Sequence, residues 1–185
     1  HMVTLTADVA GTDQVTTYTY GVTKGGSAGD SKISSNDMLW KVAYPDSVDD
    51  SDKVKYAYNA QGQEMWKKDQ AGNIFERDFD TGGRETHRRV STLDGDFDGA
   101  VKRISTVYDS SSRTSTVTQY DNATVGSGSV VDQVKYTFDG WGNVTDFEQD
   151  RNGTVGGGGD QYVWSQAWAK NTGGRNTVRM TSETL

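Results

Sequence analysis

The 185-residue sequence predicts an all-β fold of antiparallel β-hairpin repeats, arranged as a twisted meander or a solenoid-like ribbon. Three observations lead there. Val occurs 19 times against four Leu and three Ile, alongside nine Tyr and five Trp. β-branched side chains lose χ1 freedom in helices, and aromatic rings pack well on pleated sheets. Apolar and polar residues alternate with period two through most of the chain. An internal repeat has at its centre the chemistry of a tight turn.

Taken in order, the chain opens with His1-Met2, which has the form of a tag-cleavage scar. Residues 3–185 read as a single repeat-built segment. It ends at Thr184-Leu185 inside another alternating stretch, so both ends read as cuts through a longer protein. Tyr18, Tyr20 and Val22 make the first apolar stripe. Ser35 to Ala43 is the nearest approach to helical character, with room for one turn after a Ser35 or Asn36 cap. Val54, Tyr56 and Tyr58 share one strand face; Lys53, Lys55 and Ala57 share the other. Phe75 and Phe79 flank Arg77, Val134, Tyr136 and Phe138 repeat the earlier pattern, and Tyr162, Trp164 and Trp168 form a last stripe. About ten short strands are expected. Inserts at 24–31, 93–100, 123–129 and 152–160, rich in Gly or Asp, read as surface loops.

The repeat is explicit. Val54-Lys55-Tyr56-Ala57-Tyr58-Asn59-Ala60-Gln61-Gly62-Gln63 returns as Val134-Lys135-Tyr136-Thr137-Phe138-Asp139-Gly140-Trp141-Gly142-Asn143. Partial copies are Phe79-Asp80-Thr81-Gly82-Gly83-Arg84 and Tyr108-Asp109-Ser110-Ser111-Ser112-Arg113. Turns are therefore expected at 58–63, 79–84, 108–113 and 138–143. A second turn element, Asp69-Gln70-Ala71-Gly72-Asn73, lies between copies, with a looser version at Asp150-Arg151-Asn152-Gly153. An Asp or Asn side chain can accept from backbone amides just ahead of it and so start a type I turn. Gly at the fourth place takes positive φ without a Cβ clash, which gives a type I turn with a G1 bulge. Ser112 stands where Gly is preferred and should carry a small left-handed penalty.

These units resemble RHS repeats, also called YD repeats, which are built on Tyr-Asp-x-x-Gly-Arg and a Thr/Lys-Asp-x-x-Gly-Asn partner. Residues 54–84 carry the resemblance best, and 134–153 support it. The run from Trp40 to Tyr58 with Tyr44-Pro45-Asp46-Ser47 is similar in style, as in large bacterial RHS proteins. The resemblance implies antiparallel ribbons that spiral, a shell around a toxin or a cell-surface protein, and an extracellular or cell-surface location. The family has also been linked to carbohydrate binding. Its self-cleaving core motif, with an Asp-Pro step, has no match: the single Pro, Pro45, follows Tyr44. Asn59 in place of Asp and Ser112 in place of Gly depart from the family pattern.

The expected role is a non-catalytic structural segment, partnered by the remainder of its parent chain. Each hairpin cannot bury its aromatic face alone, so neighbours must stack. Unpaired edge strands would favour self-association. The alternative is a carbohydrate- or cell-surface-binding module, with Trp141 and Trp66 as candidate ligand contacts, since indole faces stack on sugars. Trp164 and Trp168 read as core. A glycoside hydrolase fragment, using a carboxylate pair such as Glu148 and Asp150, ranks last. His87, the sole His outside the scar, lies in a strand and reads as a solvated strand residue rather than part of a triad.

No resident cofactor is expected, with one candidate cation site. Asp94, Asp96 and Asp98, followed by Gly99, have spacing suited to Ca²⁺ ligation, although Ser105 stands where a bidentate Glu would close the loop. The acidic run Asp46, Asp49, Asp50 and Asp52 reads as a solvated turn. Gly156 to Gly159 lack the Lys and Ser/Thr of a phosphate loop. No apolar run approaches the ~18 residues of a spanning helix, and the absence of Cys excludes disulfides and thiolate metal sites. A pI near 4.8 gives no nucleic-acid footprint.

Overall fold

The structure is a computed structural model that describes residues 1–170 and 178–185. Every described element is a β-strand, and each pairs antiparallel with its sequence neighbour within its unit. The chain divides into two compact units, His1–Gly99 and Ala100–Leu185. The first holds β1 (Met2–Val9), β2 (Thr12–Val22), β3 (Ser35–Ala43), β4 (Val54–Tyr58), β5 (Glu64–Lys68), β6 (Ile74–Phe79) and β7 (Glu85–Thr92). The second holds β8 (Arg103–Tyr108), β9 (Thr114–Tyr120), β10 (Val130–Phe138), β11 (Val144–Asp150), β12 (Gln161–Lys170) and β13 (Val178–Thr184).

The all-β meander expected from alternation is present, with thirteen strands among the described residues rather than about ten. Ser35–Ala43 is not a helical turn. It is β3, paired to β2 from Thr17↔Ala43 to Val22↔Ser35 and to β4 at Lys41↔Lys55 and Val42↔Val54. Nine residues are too few for a helix to hold itself in water, while pairing on both sides satisfies the strand's backbone.

In the first unit Tyr18, Val42 and Val54 lie in register across β2, β3 and β4. Val42 and Val54 are buried there. The Tyr58 hydroxyl donates to the Leu39 carbonyl at 2.8 Å. Burial pushes the Tyr56 and Tyr58 hydroxyls above the usual phenol range. The other face of β4 carries Ala57, which is 1% exposed. The 24–31 insert is anchored on the backbone of β4 rather than standing off in solvent. Ser31 is buried, its hydroxyl accepts from the Tyr58 amide at 3.2 Å, and the Lys32 amide donates to the Tyr58 carbonyl at 2.7 Å.

In the second unit Tyr136, Phe147 and Trp164 stand directly opposite one another across β10, β11 and β12. Tyr136 meets Phe147 edge-on at 5.3 Å, a favourable ring geometry. Trp168 donates from Nε1 to the Val144 carbonyl at 2.7 Å. Both Trp164 and Trp168 are half-buried.

Candidate functional site

The repeat turns join the strands that carry most of the candidate residues. At Asn59, Asp69, Asp80, Asp109 and Asp139 the backbone amide donates to the carbonyl four residues on, at 2.9–3.0 Å. The amides of Gly62, Gly72, Gly83, Ser112 and Gly142 return to those five residues at 3.0–3.2 Å. In all five turns the side-chain Oδ1 accepts the amide four residues ahead, at 2.8–3.0 Å. In four it also accepts the amide two residues ahead, at 2.8–2.9 Å. Gly62, Gly72, Gly83 and Gly142 take φ of 81–92°, and Ser112 takes 65°, the left-handed conformation its position requires.

The last residue of each unit then has a reason. Arg84 Nε donates to Asp80 Oδ2 at 2.7 Å, and Arg113 Nε to Asp109 Oδ2 at 2.7 Å. Asn73 and Asn143 reach Asp69 and Asp139 through their side-chain amides at 2.8 and 2.9 Å. At Asn59 the polarity is reversed: its Nδ2 donates to Gln63 Oε1 at 2.9 Å. The exchange of Asp for Asn is thus matched by Gln at the partner position. The Arg84 amide, then its guanidinium, hold the Asp80 carboxyl below its usual range. For Asp109 the Arg113 amide is the largest cause of the same lowering.

Each aromatic-Asp hairpin carries a second irregularity that the sequence reading lacked. The register shifts again one pair inside the turn, leaving Met65, Thr86, Ser115 and Thr145 as extra residues on the outgoing strands. Thr86 and Ser115 donate their hydroxyls back to the Asp78 and Val107 carbonyls, each at 3.2 Å. Such bulges increase local twist. Neighbouring turns also touch: Gln63 Nε2 donates to the Gly83 carbonyl at 2.8 Å. Arg113 Nη1 reaches the Asp139 carbonyl at 3.4 Å, with its guanidinium 4.3 Å from the Phe138 ring centre.

The groove that combines an apolar ring with fixed polar groups has a volume of about 430 Å³ and lies in the first unit, between the 26–29 loop and the faces of β5 to β7. Trp66 lines it, together with Glu76, Asp78 and Arg89. Gly29, at φ +80°, approaches the indole so closely that an added Cβ would lie 3.1 Å from Trp66 Cε2. Arg89 bonds Glu76 at 2.7 Å and Asp78 at 3.0 Å, and the Ser91 hydroxyl donates to Glu76 at 3.1 Å. An apolar ring therefore stands beside an ordered row of donors and acceptors, the usual make-up of a small-molecule site.

The other candidates are dispersed. Trp141 projects from its turn at 69% exposure, in the second unit. Asp94 Oδ1 accepts the Asp96 amide at 3.0 Å, and its carbonyl accepts the Phe97 amide at 3.2 Å, so Asp94 braces its own loop. Asp96 and Asp98 are exposed. Among the described residues no three His, Asp or Glu side chains stand together as a metal-binding group. His87 lies opposite Asp78, half-buried. Glu148 pairs with Lys135 at 3.2 Å, while Asp150 is fully buried and accepts the Asn152 amide at 3.1 Å. Sequence reasoning missed Arg103, which is buried and donates to the carbonyls of Asn122, Thr124 and Ser127. Nothing local marks it: the three acceptors lie some twenty residues away in the 121–129 loop.

No protein-family model and no curated protein matches the sequence. Twenty solved chains match it. One of them, from the "Crystal Structure of TcdB2-TccC3-Cdc42", aligns over 91% of this chain with a TM-score of 0.40 and 11% identity. The present chain spans 9% of that chain's length.

Proposed function

We propose that this chain is a non-catalytic structural segment of an RHS-repeat shell or cell-surface protein, outside the cell. The observation that supports this most is the set of five turns that share one brace, a side-chain oxygen accepting the amide four residues on, with one pair of turns linked by Gln63 in the first unit and another by Arg113 in the second. A turn that fixes its own geometry and binds the next can be repeated indefinitely, which is the requirement for a ribbon. The test is a thermal melt followed by circular dichroism, run with EDTA, with Ca²⁺ and with a glycan panel. A cooperative β-type melt that no additive moves is the expected result. A ligand at about 100 times its Kd would add about 2.7 kcal/mol and shift the midpoint visibly. A shift with Ca²⁺ would instead assign a cation to the loop of Asp94, Asp96 and Asp98.

The groove at Trp66 favours a second function, glycan binding, because an indole beside fixed Glu76, Asp78 and Arg89 suits a sugar's apolar face and hydroxyl rim. In that case a sugar-induced shift disappears in Trp66→Ala and survives in Trp141→Ala. A shift lost only in Trp141→Ala would move the site to the turn tip of the second unit.

A further inference from the structure

We propose that Lys41, Lys53, Lys55 and Lys68 of the first unit form a binding site for polymer-borne oxyanions, sulfate or phosphate groups, which Asp50 occupies as an internal competitor. The site begins with register. Lys41 stands directly opposite Lys55, and Lys55 directly opposite Lys68, so three adjacent strands place lysine in one row. Like charges directly opposite destabilise a strand pair. The arrangement stands out further in a chain whose net charge is -7. A row of this kind needs an anion, and the 46–52 insert supplies one.

Asp50 lies 3.0 Å from Lys41 Nζ, 3.2 Å from Lys53 Nζ and 2.9 Å from Lys55 Nζ. Lys68 Nζ donates to the neighbouring Ser51 carbonyl at 3.0 Å. The other acids of the insert are engaged elsewhere. Asp46 accepts from Gln70 at 3.2 Å, Asp49 from the Ser51 amide at 2.6 Å, and Asp52 from the Val48 amide at 2.6 Å. One carboxylate thus serves three ammonium groups directly. Lys55, then Lys41 and Lys53, hold its carboxyl far below the usual range, so it stays ionised. The three lysine side chains are only 20–27% exposed, whereas Asp50 is 56% exposed. The cations are therefore the more buried part of the site and the carboxylate is the accessible part.

A carboxylate offers two oxygens to this cluster, while a phosphate group offers three strong acceptors. Lysine binds such groups as a compact point charge. A polymer carrying them can displace Asp50 without rearranging the strands that hold the lysines. The site shares no residue with the Trp66 contacts and does not depend on the glycan reading.

The experiment is isothermal titration calorimetry on the full chain at low ionic strength, with sodium tripolyphosphate, dextran sulfate and uncharged dextran as probes. The wild-type chain should bind tripolyphosphate or dextran sulfate, more weakly as salt rises, and should ignore dextran. Asp50→Asn should tighten binding about tenfold by removing the competitor. Lys41→Gln/Lys55→Gln should abolish it. Whichever probe binds identifies phosphate or sulfate as the source of the oxyanion. Equal affinity of wild type and Asp50→Asn, or unchanged binding by the double lysine variant, would overturn the proposal. Should circular dichroism show Asp50→Asn unfolded, the wild-type salt dependence and the lysine variant still decide it.

Discussion

In the first unit the side chains withdrawn from water include Val22, Val42, Val54 and Ala57. In the second, the buried residues among those described are Arg103, Thr118 and Asp150, and none of them is apolar. The turns of the two units are nevertheless alike: Asp80 with Arg84 and Asp109 with Arg113 make the same bonds at nearly the same lengths. The difference teaches that the turn chemistry is indifferent to what lies beneath it. The inserts decide the interior instead. Around β4 the insert ending at Ser31 is held to the sheet by the Ser31 hydroxyl, which accepts the Tyr58 amide, and by the Lys32 amide, which donates to the Tyr58 carbonyl. In the second unit the 121–129 loop presents three carbonyls inward, and only a long cation such as Arg103, stacked 3.9 Å from the centre of the Tyr120 ring, answers them.

The largest predicted effect is on that cation. Arg103→Met keeps length and removes the donors, leaving three carbonyls short of partners. It should lower stability by about 3 kcal/mol in urea denaturation and open the 121–129 loop to protease. A loss as small as that of a surface substitution would break the comparison, because the second unit would then not depend on its buried charge. Next comes Val54→Ala, expected to cost about 2 kcal/mol through the cavity it leaves. Val134→Ala, at the matching repeat position but only half-buried, should cost about 1 kcal/mol. Equal losses would mean that the two interiors are packed alike.

A smaller effect tests the shared turn. Ser112→Gly should raise stability by about 1 kcal/mol by relieving the left-handed conformation. Gly83→Ser should lower it by at least as much, since a Cβ there meets Gln61 Oε1 at 3.1 Å. The smallest is pH dependence. The Asp80 and Asp109 carboxyls are lowered in the folded chain, so their contribution is present above the unfolded Asp value of about 3.9 and fades as pH falls through the folded value. Carboxyl titration by NMR should place both below 3.9. Normal titration would detach the Arg partners from the turn, whereas a drop only at Asp109 would separate the two units.

The hairpin turns were legible because their cause is local. Asp or Asn, Gly and the closing Arg, Asn or Gln lie within five positions, so spacing alone locates the bonds. The second bulge at Met65, Thr86, Ser115 and Thr145 was not legible, because it depends on pairing with the incoming strand. β3 was obscured because Ser35 and Asn36 look like caps, while its true determinants are partners on β2 and β4. The lysine row follows once β3 is read as a strand, since its register aligns Lys41 with Lys55. Trp66 was legible as a candidate contact, but the groove around it was not, because the loop bearing Gly29 arrives from a distant part of the unit.

The central claim is that each repeat turn is fixed by its own Asp or Asn side chain, independently of the interior. Native-state hydrogen exchange tests it most directly, at the amides of Gln63, Asn73, Arg84, Arg113 and Asn143, which each turn side chain accepts. The account predicts strong protection at all five. It also predicts that Asp139→Ala removes protection at Asn143 while leaving Arg113 protected. Weak protection at these amides in the wild type, or loss at Arg113 together with Asn143, would contradict it: the turns would then be held by the sheet and not by themselves.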